Sequence, residues 1–362
     1  ILEGLSEQNI TAASQTTEIC HKILAAMSRA FKLKNIQYNC SASIGVVLFN
    51  DPSATTSEIM KQADIAMYQA KVAGRNTMRF FDPTMQEEIL KRAKLENELF
   101  EAVKHNHFKL FYQIQVNHLQ QPIGAEALVR WLHPQKGIIT PVEFIPYAEE
   151  SGLILAIGSW VIETACQQLK QWQTHPATKA LTISINVSSK QFRQPEFIDQ
   201  VIDTINKYDI NPSRLKMELT ESLLLDDIGN TIVQMHALGK LGIQFSLDDF
   251  GTGYSSLQYL KKLPLYQLKI DRSFVGALIT DKSDQSIVKT IISMAESLGF
   301  SVIAEGVETI EQQQFLQREG CLYYQGYLFG KPVPIKEFEL LVNDIQAQDQ
   351  SKTSGLKLNH SA

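Results

Sequence analysis

Glu126, Asn186, Glu218, Asp248, Asp249, Lys269, Glu305 and Gln325 supply carboxylates, amides and one ammonium to a single candidate site. Hard oxygen donors of this kind select Mg²⁺ or Mn²⁺ over zinc or copper, and no imidazole or thiolate joins them. The five carboxylates in the set repel one another strongly unless cations neutralise them, and they exceed what one Mg²⁺ recruits, so two metals are expected. Two cations suit in-line attack on a phosphodiester, because both the attacking and the leaving oxygen are stabilised.

Convergence of the set follows from strand parity, since residues two apart share a face. Leu181, Ile183, Ile185 and Val187 oppose Thr182, Ser184 and Asn186; Leu215, Met217 and Leu219 oppose Lys216, Glu218 and Thr220. Ile243, Phe245 and Leu247 oppose Gln244, Ser246 and Asp248, while Leu268 and Ile270 oppose Gln267, Lys269 and Asp271. In a barrel the apolar faces pack under a ring of helices and the polar faces meet in the lumen, where they are costly unless they bind something. Most of these polar groups stand at the C-terminal ends of their strands, where such barrels build active sites. Taken singly, Glu218 or Glu305 reads as a surface acid, Asn186 as a cap, Lys269 as a surface ammonium and Gln325 as loop punctuation. Several strands each delivering one polar group at the same end read as a site.

The elements that must hold these groups repeat one rhythm of short strand, polar cluster and helix. Strand-like runs fall at 108–116, 124–131, 181–187, 215–219, 243–248, 267–271, 301–305 and 323–327, with helical patterns between them such as 160–172. This predicts an α/β fold, a (β/α)8 TIM-like barrel. About seven residues, 117–123, join the first two strands. They are too few for a crossover helix, so the first strand is expected to run antiparallel. The 362 residues leave room for a barrel and a smaller unit. The formal charge of −5 spreads no basic field to favour a nucleic-acid duplex. The four cysteines form no C-x-x-C pair and suggest neither a zinc ribbon nor a disulfide framework, so a reducing cytoplasm is expected. No apolar run is long enough to span a membrane, although regions outside this chain could anchor a longer parent at the inner membrane.

Ahead of the barrel, Thr56 to Gly74 carries a helical pattern ended by Gly74, and a short strand follows at 78–81. Thr84 with Glu87 makes a capping box for a helix through about Val103, whose 82–98 portion connects the units. The polar tail at 346–362 is expected to be disordered. Ser41-Ala42-Ser43-Ile44-Gly45-Val46, Ala63-Asp64-Ile65-Ala66-Met67-Tyr68-Gln69-Ala70-Lys71 and Gly74-Arg75-Asn76 resemble the C-terminal half of a GGDEF, or diguanylate cyclase, domain over 1–81. The signature loop is absent, and that family carries its metal-binding acids upstream. The resemblance therefore implies no cyclase activity in this chain.

Glu126-Ala127-Leu128, Pro141-Val142-Glu143-Phe144-Ile145-Pro146, Asn186-Val187-Ser188, Glu218-Leu219-Thr220-Glu221-Ser222, Asp248-Asp249-Phe250-Gly251-Thr252-Gly253, Leu268-Lys269-Ile270-Asp271, Ala304-Glu305-Gly306-Val307-Glu308 and Gln325-Gly326-Tyr327 follow one another in order. With them, 99–345 resembles the EAL family of cyclic di-GMP phosphodiesterases. The resemblance implies hydrolysis of one phosphodiester bond to the linear dinucleotide pGpG, with two Mg²⁺ or Mn²⁺ ions per site and inhibition by Ca²⁺. Glu126, Asn186, Glu218 and Asp248 would hold one ion, and Asp248 would bridge to a second held by Asp249 and Glu305. It further implies that Lys269 orients or deprotonates the attacking water, with Glu305 the other candidate base. Gln325 would bond near the scissile phosphate, Leu128 and Arg130 would meet the substrate, and Glu221 and Glu308 would support loops. Asp249 has the wrong parity and reaches the site only if the chain turns there, which Gly251 and Gly253 permit. Expected partners are cyclic di-GMP, a second copy through the barrel, and upstream sensory or GGDEF regions. The alternative function is a catalytically silent receptor for the same dinucleotide; a two-carboxylate glycosidase would leave Lys269 and the remaining acids idle.

Overall fold

Alternating apolar residues give the chain its strands, and their placement divides it into two units, Ile1–Asn97 and Glu98–Ala362. The computed structural model describes residues 1–6, 8–33, 36–38, 40–49, 54–224, 227–251 and 260–358.

In the first unit, strand β3 (Ser43–Val46) pairs in parallel with β4 (Thr77–Phe80), and the helix Thr56–Val72 connects them. That helix starts on a capping box: Glu58 N–H donates to Thr55 Oγ1 at 3.2 Å, and Thr55 N–H donates to Glu58 Oε2 at 3.1 Å. It stops where Gly74 takes a φ of +102°. A helix at Asn9–Met27 and a hairpin of β1 (Phe31–Leu33) with β2 (Ile36–Tyr38) precede this βαβ unit. Thr84 was expected to open a capping box with Glu87 but lies inside the helix, and the Glu87 side chain lies outside the described residues. The following helix spans Pro83–Lys104, and Asp82 caps it, its Oδ1 accepting from Thr84 N–H at 2.8 Å. Pro83 at the first helical position explains the earlier start, since it has no N–H to satisfy.

The second unit is a closed barrel of β5 (Phe108–Asn117), β6 (Pro122–His133), β8 (Thr182–Asn186), β9 (Leu215–Thr220), β10 (Gln244–Phe250), β11 (Gln267–Ile270), β12 (Ser301–Ala304) and β13 (Tyr323–Gln325). Strand β5 pairs antiparallel with both β6 and β13, which closes the ring, and the remaining neighbours are parallel. The reversed first strand is thus present. Two short pairings extend the sheet beyond the ring, β7 (Gly137–Ile139) on β6 and β14 (Val333–Pro334) on β5. Both are too short to stand out as periodic runs.

Both faces of these strands are buried, the polar one through Ser184, Lys216, Glu218, Ser246, Gln267 and Lys269. Ile183, Ile185, Met217, Leu219, Phe245, Leu247, Leu268 and Ile270 are buried under the helices. Helix Ile154–Trp172 starts earlier than the expected 160 because Ile154, Ile157 and Val161 extend its buried face. The tail expected to be disordered is helical as far as Leu358, continuing a helix that begins at Ile335. Phe338 and Val342 anchor its start, and Gln346 Nε2 donates to Ala177 O at 2.9 Å. Adding residues to a nucleated helix costs far less than starting one. Among the described residues no helix is long and apolar enough to cross a membrane. All four cysteines are free thiols.

Candidate active site

Glu126 stands inside β6, and Asn186 is the last residue of β8. Glu218 lies in β9, Asp248 in β10 and Lys269 in β11; Glu305 follows β12 directly, and Gln325 ends β13. The barrel brings most of these groups into contact. Lys269 is 1% exposed, and its Nζ bonds Glu218 Oε2 and lies 2.7 Å from Glu305 Oε1, 3.0 Å from Asp248 Oδ1 and 3.8 Å from Glu126 Oε2. Asn186 Nδ2 donates to Glu126 Oε1 at 2.7 Å, and Gln325 Nε2 donates to Glu126 Oε2 at 2.5 Å.

One ammonium among four carboxylates sets the electrostatics. Burial draws the Lys269 ammonium toward its neutral form, but Asp248, Glu126, Glu218 and Glu305 outweigh it and hold its pKa well above the usual lysine range. Burial likewise pushes the Glu218 carboxyl up, with Lys269 opposing and the neighbouring acids adding to the rise, and Glu305 is raised for the same reasons. Glu218 Oε1 is buried and makes no hydrogen bond.

The chain turns at Asp249, as its parity demanded. It takes a φ of +54°, and the β10–β11 register shifts between Leu247 and Phe250. Such a bulge re-aims a side chain at a strand end. Burial raises its carboxyl, and the charges of Asp248 and Asp271 raise it further. Gly251, at φ +99°, follows the turn, while Gly253 lies outside the described residues.

The remaining expected residues are placed unevenly. Leu128 and Asn186 line an apolar cavity of about 390 Å³ that also reaches Pro141, Ile145, Ile157 and Glu218. Arg130 is half-buried, its guanidinium 5.8 Å from the centre of the Phe111 ring, and Nη1 donates to Val129 O at 3.1 Å. Glu221 is buried with neither carboxylate oxygen hydrogen-bonded among the described residues, and the loop at 252–259 it was expected to support lies outside them. Glu308 is exposed, and its backbone N–H donates to Gln312 Oε1 at 2.8 Å. Gln325, expected near the substrate, is buried and turned toward the strands. Its Nε2 also donates to Gln113 Oε1 at 3.1 Å, and its Oε1 accepts from Gln115 Nε2 at 2.9 Å. Gln113 and Gln115 escaped the sequence reading although Tyr112-Gln113-Ile114-Gln115-Val116 alternates like the other strands.

Gly326 keeps Gln325 in place. A Cβ there would fall 2.1 Å from Val307 O and 2.3 Å from Val307 N, both backbone atoms. Gly326→Ala should therefore push the Gln325 segment off Val307, and activity should fall by about tenfold or more. Unchanged turnover in this variant would mean that Gln325 tolerates displacement.

Comparison with known proteins matches this arrangement. The EAL domain model covers residues 96–332, and the diguanylate cyclase, GGDEF domain model covers residues 4–77. The bifunctional diguanylate cyclase/cyclic di-GMP phosphodiesterase MucR of Pseudomonas aeruginosa is 40% identical over 320 residues, covering 88% of this chain and 47% of that protein. The cyclic di-GMP phosphodiesterase PdeR of Escherichia coli is 34% identical over 331 residues, 91% of this chain and 50% of that protein. The chain thus spans about half the length of these curated relatives. A solved structure of the MucR phosphodiesterase in complex with c-di-GMP superposes with a TM-score of 0.66 at 41% identity, over 68% of this chain and 99% of that one. Barrel strands, mouth acids and family model coincide over the same residues, and the chain belongs to the EAL domain family, with a GGDEF region ahead of it in sequence.

Proposed function

We propose that this chain hydrolyses one phosphodiester bond of cyclic di-GMP to pGpG, with Mg²⁺ or Mn²⁺ held by Glu126, Asn186, Glu218, Asp248, Asp249 and Glu305. The observation that carries the reading is the gathering of four buried or half-buried carboxylates on Lys269 at the barrel mouth, beside an apolar cavity. MucR and PdeR, both named for cyclic di-GMP phosphodiesterase activity, support it.

The donor chemistry fits hard divalent cations. Glu218 Oε1, buried without a partner, is the kind of lone pair a cation satisfies. Among the described residues no group of three or more acids, histidines or cysteines is arranged to hold a metal ion by itself, and the four mouth acids lie within 4 Å of Lys269 Nζ. Bound divalent cations would supply charge stabilisation to the attacking and leaving oxygens.

The chain's own groups do the rest. The cavity buries one planar base against Leu128, Pro141 and Ile145. Arg130 offers its remaining guanidinium N–H groups to a phosphate. Lys269, kept charged by its neighbours, orients the attacking water once the acids share themselves with cations. Glu305, whose Oε1 lies 2.7 Å from Lys269 Nζ and whose carboxyl burial pushes up, is the base candidate in reach.

Incubating the purified chain with cyclic di-GMP and Mn²⁺, and separating the products by chromatography, should yield pGpG. Tight binding without cleavage would replace this reading with that of a receptor. With GTP as the only nucleotide, the same preparation should form no cyclic di-GMP; its appearance would refute the expectation that the GGDEF region is inactive here.

A further inference from the structure

We infer that Gln115, together with Gln113 on the reversed strand β5, is a positioning residue that sets the orientation of the Gln325 amide and, through it, of the Glu126 carboxylate. The inference deepens the proposed function and rests on it, since it treats Glu126 as a ligand of the reaction's cation.

A glutamine side chain has nearly the same shape either way round, so its orientation is decided by which partners can only donate and which can only accept. Two acceptor-only groups bracket this network. The Glu126 carboxylate accepts from Gln325 Nε2, and the Gly330 carbonyl accepts from Gln113 Nε2 at 3.1 Å. With its nitrogen committed to Gly330, Gln113 turns its Oε1 to the second Gln325 N–H, at 3.1 Å. Both hydrogens of Gln325 Nε2 are then used, and Gln325 Oε1 must find a donor. Gln115 Nε2 is that donor, at 2.9 Å. Flipping any one amide would set donor against donor or acceptor against acceptor at its neighbours.

Strand topology makes the network possible. Because β5 runs antiparallel to both neighbours, register places Gln113 opposite Glu126 on one side and Gln115 opposite Gln325 on the other. A single strand thus links two residues that stand 199 positions apart in sequence.

An orphaned atom points the same way. Gln115 is fully buried, and its Oε1 makes no hydrogen bond. A residue present only to fill space would be better as methionine or leucine, which carry no acceptor to desolvate. Gln115 keeps an unmade hydrogen bond in order to keep its donor. Gln325 has no N–H left to offer a substrate, so its influence on the reaction passes through Glu126, whose other oxygen Asn186 holds.

Gln115→Met preserves bulk while removing both the donor and the orphaned acceptor. Mn²⁺ affinity, read by calorimetry without substrate, and kcat at fixed Mn²⁺ should each fall about 10- to 100-fold, the usual effect of a group that orients a metal ligand. The KM for cyclic di-GMP should stay within about twofold, because the substrate does not touch Gln115. The melting temperature without metal should hold or rise, which separates positioning from a structural role. Gln115→Asn, whose shorter amide cannot reach Gln325, should behave alike and serves if the methionine variant folds poorly. In a Gln325→Met background, Gln115→Met should add nothing, because its only route to Glu126 is already cut.

Wild-type Mn²⁺ affinity in both Gln115 variants, or effects that add in the double variant, would overturn the inference. A wild type that binds Mn²⁺ and never cleaves would overturn the functional reading alone, and the calorimetric comparison would still decide the role of Gln115.

Discussion

Lys269→Met should lower turnover about a thousandfold while leaving cyclic di-GMP affinity, measured by calorimetry in Ca²⁺, within a few-fold. Loss of rate without loss of binding marks an interaction made mainly in the transition state. The structure adds a consequence for stability. Lys269 is the one cation within 4 Å of Glu218, Asp248, Glu126 and Glu305 among the described ion pairs. Removing it leaves buried acids uncompensated, which costs about 3–5 kcal/mol when a buried pair is broken. The metal-free variant should therefore melt several degrees lower, and Mn²⁺ should restore part of the loss by supplying the missing charge.

The deficit should depend on pH. Glu218 and Glu305 already have raised pKa values in the folded chain. A group with a folded pKa above its unfolded value stabilises fully below the unfolded pKa and loses that contribution as pH rises through the folded one. In the variant both carboxyls are driven further up. Its melting temperature should approach the wild type's near the usual glutamate pKa and fall away as pH rises past neutrality. A variant that loses binding in proportion to rate would make Lys269 a substrate anchor. One that melts like the wild type at every pH would show that the ammonium is not what holds the acids together.

Removal of divalent cations should have the other large effect. A chelator should abolish hydrolysis, Mg²⁺ or Mn²⁺ should restore it, and Ca²⁺, larger and less exacting in geometry, should bind without productive alignment and inhibit. Loading should also release protons, because carboxyls must be ionised to ligate and burial pushes the Glu218 carboxyl up to about 8. Cation affinity should accordingly rise with pH up to about 8, the raised Glu218 value, and level off above it. Calorimetry in buffers of different ionisation enthalpy counts the protons. Full activity in excess chelator, or in Ca²⁺ alone, would end the metal reading. Loading with no proton release at neutral pH would mean that the ligands are ionised beforehand.

Much of this site was legible in the chain because strand parity is a local property. Leu268-Lys269-Ile270 alternates whatever surrounds it, and the short connection at 117–123 forbids a crossover helix in any environment. The eight strands, the reversed first strand and the inward face shared by Glu218, Asp248 and Lys269 follow from such local facts. The turn at Asp249 was legible too, because its parity opposes that of Asp248, and the chain takes a positive φ there.

Contacts across the ring were not legible. Parity places Lys269 on the inner face, but only the closed barrel sets its Nζ among acids drawn from four other strands or strand ends, making it a counter-ion before it is anything else. Likewise, Gln325 looks free for a substrate until the register of β5 shows both its N–H groups taken by Glu126 and Gln113. Hydrogen-bond donors are finite, and which partner receives them is settled by separations in space that sequence distance does not encode.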